Sequence, residues 1–321
     1  MSFCRRSVNR PGRSTAVGVL AWHFARLGRR VVAVDLDLEA PGLGNLLLQD
    51  LPDYGLIDWL VESLVAPPDP SFIEDCLTFS PIADGTPGVV SVVPALGCKT
   101  KDYVSKVGRV FLPGVAENGD EIGLAERLGR LLSALAERDE PPDVVLLDSR
   151  AGLHDIGAAA VTRLGAEVFL FTRDEPQSWE ACRLLFEHLS RSRSIEYGMP
   201  DADLRWKLKM VAAQVEKTQG SLARWLEASY ETCSALYDDE ARVPATGLPA
   251  QVFVRDDPEA PHHPLPVYFD QGLRGVVLLD DARRPPWPVI EAAFGQCLTA
   301  ATARLFPAER GGAREQHPRT P

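Results

Sequence analysis

The chain has 321 residues, 45% hydrophobic and 25% charged, with a formal net charge of −11. That is an ordinary soluble composition, able to bury a sizeable core, and its acidic balance argues against nonspecific nucleic-acid binding as the main task. Six scattered cysteines without a Cys-x-x-Cys pair exclude a zinc knuckle and a compact disulfide framework, and no stretch approaches the ~20 apolar residues of a membrane span.

In chain order, Gly12-Arg13-Ser14-Thr15 leads into a helical run over 16–27 that stops at Gly28. Arg5-Arg6 ahead of this run mimics a twin-arginine export signal. The run, however, contains His23 and flows into Arg26-Leu27-Gly28-Arg29-Arg30 with no small-residue cleavage site, so a cytoplasmic protein is expected. Residues 31–35 are apolar and end in Asp35, with Asp37, Glu39 and a Pro41-Gly42 loop behind them. The pattern predicts a buried parallel strand delivering carboxylates to its C-terminal end, where α/β sheets bind ligands.

Residues 55–65 read as helix, and Pro67-Pro68-Asp69-Pro70 breaks the chain before a strand at 89–93. A stretch with Lys99, Lys101, Lys106 and Arg109 reads as loop or surface helix. In the helix expected over 123–138, Leu124, Leu128, Leu131, Leu132 and Leu135 recur at core-packing spacing. A strand at 144–148 ends in Asp148. Then come a strand at 167–172, a helix at 178–190, a strand at 208–215 and a helix at 221–236. The Pro-rich segment 244–266, with His262-His263, reads as a solvated loop. A last helix at 289–306 precedes a tail, 307–321, expected to be disordered.

Alternating strands and helices with apolar strands predict a doubly wound α/β fold, a mostly parallel sheet covered on both faces in three α/β/α layers. We expect one domain over 1–306. Taken singly, the site candidates are ambiguous. Gly12-Arg13-Ser14-Thr15 could simply cap a helix, Asp35 and Asp148 could simply end strands, and Asp37 could be a turn residue. A phosphate-binding turn, an Asp-x-Asp strand and a strand ending in Asp, in this order, point together to a P-loop nucleotide site holding Mg²⁺.

The order Gly-Arg-Ser-Thr, Asp-Leu-Asp-Leu-Glu-Ala-Pro-Gly-Leu, then Leu-Asp-Ser-Arg-Ala-Gly-Leu resembles the ParA/MinD-type ATPases, in the branch whose loop reads Lys-Gly-Gly-Val-Gly-Arg-[Ser/Thr]. The resemblance extends to Gly-Val-Val-Ser-Val-Val-Pro at 88–94 and to 169–189, where Asp174-Glu175-Pro176-Gln177-Ser178 opens a helix. It implies a P-loop NTPase binding ATP and Mg²⁺. Gly12, Arg13, Ser14 and Thr15 would meet phosphate, Ser14 and Asp148 the metal, and Asp35 and Asp37 would orient metal and attacking water. Gln214 stands at or beside an Asn that reads the adenine edge.

Four positions depart from the pattern. The signature Lys falls on Val8, its two glycines on Asn9 and Arg10, and its Val on Pro11. The phosphate loop therefore lacks backbone freedom and one N–H donor, and residues 2–7, where a central buried strand is implied, carry Arg5-Arg6. The implied function is a nucleotide-dependent regulatory switch with slow hydrolysis, acting with an unidentified protein partner. Its alternative is a non-hydrolysing relative serving as an interaction scaffold. The family's homodimer is implied too, although Val8 cannot supply the Lys that crosses between subunits. Membrane anchoring through the last helix is weighed and set aside in favour of docking on the core.

Overall fold

A computed structural model describes residues 12–115, 119–149, 164–192, 204–237, 253–273, 275–280 and 282–307. The expected strand at 2–7, the loop at 8–11, residues 150–153 of the Asp-Ser-Arg-Ala-Gly-Leu motif, the 244–252 part of the Pro-rich segment and the tail from 308 lie outside the described residues.

Helix α1 spans Arg13–Arg26, and Gly28 ends it in the left-handed region (φ +79°), donating its N–H to the Ala25 carbonyl at 2.9 Å. Strand β1 is Arg30–Asp35. There follow α2 Leu43–Leu47, α3 Leu56–Glu62, α4 Phe72–Asp75, β2 Thr78–Phe79, β3 Val89–Val93 and α5 Tyr103–Val110. A short hairpin pairs β4 Gly114–Val115 with β5 Glu121–Ile122. Then come α6 Leu124–Ala136, β6 Val144–Asp148, β7 Val168–Thr172, α7 Pro176–Ser192, β8 Leu208–Val215, α8 Ser221–Tyr237, β9 Leu265–Tyr268 and α9 Trp287–Leu305.

The strands form a segment ordered β2-β3-β1-β6 and a segment ordered β7-β8-β9. All pairings within them are parallel except that of the edge strand β2 with β3. Alternation along each strand sorts side chains to two faces. Val31, Ala33, Val90, Val92, Val211 and Val267 pack with α1, α2 and α9. On the opposite face Val32 and Val34 pack with α3 and α6, while Leu208, Met210 and Ala212 pack with α7 and α8. The fold is thus an α/β protein with a mostly parallel sheet between helical layers. Each Val or Leu so enclosed contributes about 1.5–3 kcal/mol.

Two sequence expectations are corrected. The stretch through Pro266 is not all loop, because β9 runs through it as an edge strand with one neighbour, where a missing proline N–H is tolerated. Nor is His262 solvated. It is fully buried, with Nδ1 2.8 Å from the Tyr237 hydroxyl and Nε2 2.8 Å from the Arg255 carbonyl. Of the Lys-bearing stretch, Lys106 and Arg109 lie on α5, while Lys99 and Lys101 lie in the loop before it. Among the described residues no helix is long and apolar enough to cross a membrane.

Candidate functional site

The acidic residues come together through strand register. Asp35 and Asp148 are direct neighbours in the β1–β6 ladder, which continues one step further as the Leu36 N–H donates to the Asp148 carbonyl at 2.9 Å. Asp35 is 1% exposed. Its Oδ2 accepts from the Gly42 N–H at 3.0 Å and the Leu43 N–H at 2.9 Å, and its Oδ1 from the Asp37 N–H at 3.2 Å. These bonds fold the 37–43 loop back over the strand end. Burial pushes the Asp35 carboxyl up to about 7, against the pull of the Leu43 N–H bond, and the Asp148 charge adds to the rise. Asp37 is half-buried, and its Oδ1 accepts the Ala40 N–H at 3.1 Å, a turn of the kind Asp favours.

Helix α1 begins beside this loop. A Cβ placed on Gly42 would stand 3.9 Å from Ser14 Oγ. The Ser14 hydroxyl donates to the Asp148 carboxylate, whose ionisation Arg13 also favours. Asp148 is 3% exposed, and burial raises its pKa in spite of both groups, with Asp37 adding a smaller rise. Its Oδ2 is buried with no hydrogen-bond partner among the described residues. Gly12 takes the N-cap position with no side-chain cap bond, and its carbonyl receives the Ala16 N–H at 2.8 Å. Ser14 therefore lies inside the helix, turned toward Asp148, and does not cap it. Thr15 is half-buried in the same first turn, which carries no acidic residue.

A cavity of about 480 Å³ opens between β6 and β7 and reaches Arg13, Asp148 and Ser149 at one end. Gln214 does not line it. That residue is exposed at the end of β8 with φ 57°, at an irregularity in the β8–β9 pairing. The structure thus gathers Arg13, Ser14, Asp35, Asp37 and Asp148, and leaves Gln214 outside the cavity.

Tyr103 is a participant that sequence reasoning missed. Its hydroxyl donates to the Leu38 carbonyl at 2.6 Å, so α5 clamps the acidic loop. Burial, and then the charges of Asp35 and Asp37, push its phenol up to about 12. Below it Asp58, buried on α3, accepts the Gly55 N–H at 2.9 Å and pairs with Lys106 of α5. The hint in the sequence was an aromatic within a basic stretch.

The donors present suit Mg²⁺. The orphaned Asp148 oxygen and the Ser14 hydroxyl are hard oxygen ligands, and Mg²⁺ is held by one or two protein oxygens together with phosphate and water. Among the described residues no group of three or more His, Cys, Asp or Glu could form an all-protein metal cage. An N-terminal helix turn with Arg13 also suits a phosphate.

No protein-family model and no curated protein matches this chain. Comparison with solved structures finds likenesses at low sequence identity. The structure of pNOB8 ParA aligns at a TM-score of 0.50 and 15% identity, covering 92% of this chain and 95% of that one. The structure of pNOB8 ParA bound to nonspecific DNA aligns at a TM-score of 0.46 and 15% identity, covering 92% and 94%. The septum site-determining protein MinD from Pyrococcus horikoshii OT3, complexed with Mg-ADP, aligns at 0.39 and 18% identity, covering 71% and 82%. Of the three, the first reaches 0.50, and the shared ParA-like fold rests on it.

Proposed function

We propose that the chain binds an adenine nucleotide with Mg²⁺ where β1, β6 and the start of α1 converge, and acts as a nucleotide-dependent regulatory switch in the cytoplasm. One observation carries this reading. A buried Asp148 oxygen without a partner lies beside a hydroxyl on the first turn of a helix, an arrangement that supports a metal–phosphate group and that hydrophobic packing alone would disfavour. Arg13 and the α1 N–H groups would hold phosphate. Ser14 and Asp148 would hold the metal, with Asp148 acting directly or through water. Bound Mg²⁺ would neutralise phosphate charge as a bond to phosphorus breaks. Asp37 would orient the attacking water.

A second reading, a non-hydrolysing scaffold, is favoured by one specific feature. Both Asp35 oxygens are committed to backbone N–H groups and one Asp37 oxygen to Ala40, so turnover falls to what remains of Asp37.

Calorimetry with Mg²⁺-ATP and with ATP alone tests binding. We expect Mg²⁺-dependent heat, weaker than an intact phosphate loop would give, and a loss of the Mg²⁺ dependence in Asp148→Asn. Absence of heat at millimolar nucleotide would sink the proposal. Phosphate release by wild type but not by Asp37→Ala would select the switch, while binding without release would select the scaffold.

A further inference from the structure

Helix α5 depends on its neighbours. It has eight residues, too few for a helix to hold by itself in water. Its N-cap residue, Asp102, makes no side-chain capping bond and sits in the left-handed region at φ 50°, where a residue with a Cβ is strained. Ties to other elements therefore keep the helix wound.

The ties differ at its two ends. Past its last turn, the buried Arg127 guanidinium of α6 donates to the Val110 carbonyl at 2.6 Å and the Leu112 carbonyl at 2.9 Å. The same guanidinium donates to the Leu60 carbonyl of α3 at 3.0 Å, so this end is pinned to two helices. In the first turn, Lys106 pairs with Asp58 of α3, a rigid support that also accepts the Gly55 N–H and the Thr100 hydroxyl. The other tie of that turn runs to the site itself. Tyr103 donates to the Leu38 carbonyl, and Leu38 directly follows Asp37.

The loop that Tyr103 holds responds to charge. Asp148 opposes ionisation of Asp35, and Asp37 opposes that of Asp148. A divalent cation arriving with phosphate offsets this repulsion and tightens the loop that carries Asp37.

We infer that loading the nucleotide site draws the first turn of α5 tighter through the Tyr103–Leu38 hydrogen bond, so that the outer face of α5 reports the state of the site. The inference rests on the nucleotide-site reading above and adds how that site is read from outside. The face concerned already points outward: Val104 is 85% exposed, and Lys101 and Arg109, on either side of it in sequence, are exposed as well.

The test is amide hydrogen exchange of the full chain, with and without Mg²⁺-ATP, beside calorimetry on the same samples. The reporter is the Lys106 amide, whose N–H donates to the Asp102 carbonyl at 3.0 Å in the first turn of α5. In wild type, Mg²⁺-ATP should slow its exchange about threefold to tenfold, the range one hydrogen bond supplies. Tyr103→Phe keeps the ring and removes the link. It should still bind nucleotide and protect the Gly42 and Leu43 amides, yet show no change at Lys106. Val104→Gly loosens the same turn without touching the link, so its Lys106 amide should exchange faster throughout and still slow on loading. Absence of heat from wild type would sink the site and this inference together. Heat without slowing at Lys106 would overturn the inference and leave the site standing. Equal slowing in Tyr103→Phe and wild type would overturn it too, since the response would then reach α5 by another route.

Discussion

At the scale of single residues, Asp35 decides how the fold responds to pH. Its ordinary value is 3.8 and its value in the folded chain about 7, so the native state holds a proton that the unfolded chain has released. The stability from this group is complete below about pH 4 and is lost as pH rises through 7, at up to about 1.4 kcal/mol per pH unit. Asp148, also raised, acts in the same sense, whereas His262, held below its usual range mainly by burial, acts in the opposite one. The Asp35→Asn difference isolates the first contribution. Wild type should lose stability relative to Asp35→Asn between about pH 4 and 7, read as Tm across that range. Parallel curves would show that Asp35 stays ionised in the fold. That Asp35 and Asp148 end buried strands was legible in the sequence, because each closes an apolar run, and Ser14 was legible as part of the Gly-Arg-Ser-Thr turn that opens α1. Tyr103 was not legible, because its contact with Leu38 crosses 65 positions of sequence. Gln214 was placed at the right strand end, but the left-handed backbone there depends on pairing with β9, which periodicity does not report.

At the scale of elements, legibility follows burial. Strands β3, β6 and β8 coincide with the apolar runs 89–93, 144–148 and 208–215, since strands covered on both faces leave continuous apolar sequence. Two-residue strands such as β2, β4 and β5 leave no such trace, and β9 is disguised by its proline. The loop before β9 misleads for another reason. Two adjacent histidines among prolines suggest solvent, yet one is a buried post. The His262 ring bridges Tyr237 of α8 and the Arg255 carbonyl, and the Ser229 hydroxyl donates to the His262 carbonyl at 2.9 Å. His262→Ala would leave the Tyr237 hydroxyl and the Arg255 carbonyl without these partners, at about 1–3 kcal/mol each. The expected loss is about 2 kcal/mol or more by urea unfolding, where a solvated loop histidine would change the midpoint hardly at all.

At the scale of the whole molecule, the two sheet segments are held together by helices that touch both. The core against α1 and α9 includes Val31, Ala33, Val90 and Val92 from one segment, and Val211 and Val267 from the other. An aromatic and cationic seam reinforces the pairing of these helices. Trp22 meets Trp287 edge-on at 5.3 Å, and the Arg26 guanidinium lies 4.3 Å from the Trp287 ring centre. A seam of this sort makes neither segment independent, so we propose that the folded region behaves as one domain. Phe294, 5% exposed in α9, probes it. Phe294→Ala should cost about 3–5 kcal/mol, as large-to-small changes in a packed core do. If the domain is single, the loss appears as one unfolding transition at lower urea, with tryptophan fluorescence and far-ultraviolet dichroism moving together. If Phe294→Ala instead separates an early transition of β7–β9 from a later one of β1–β6, the segments fold as two units. The gap between β6 and β7 would then be a boundary between domains.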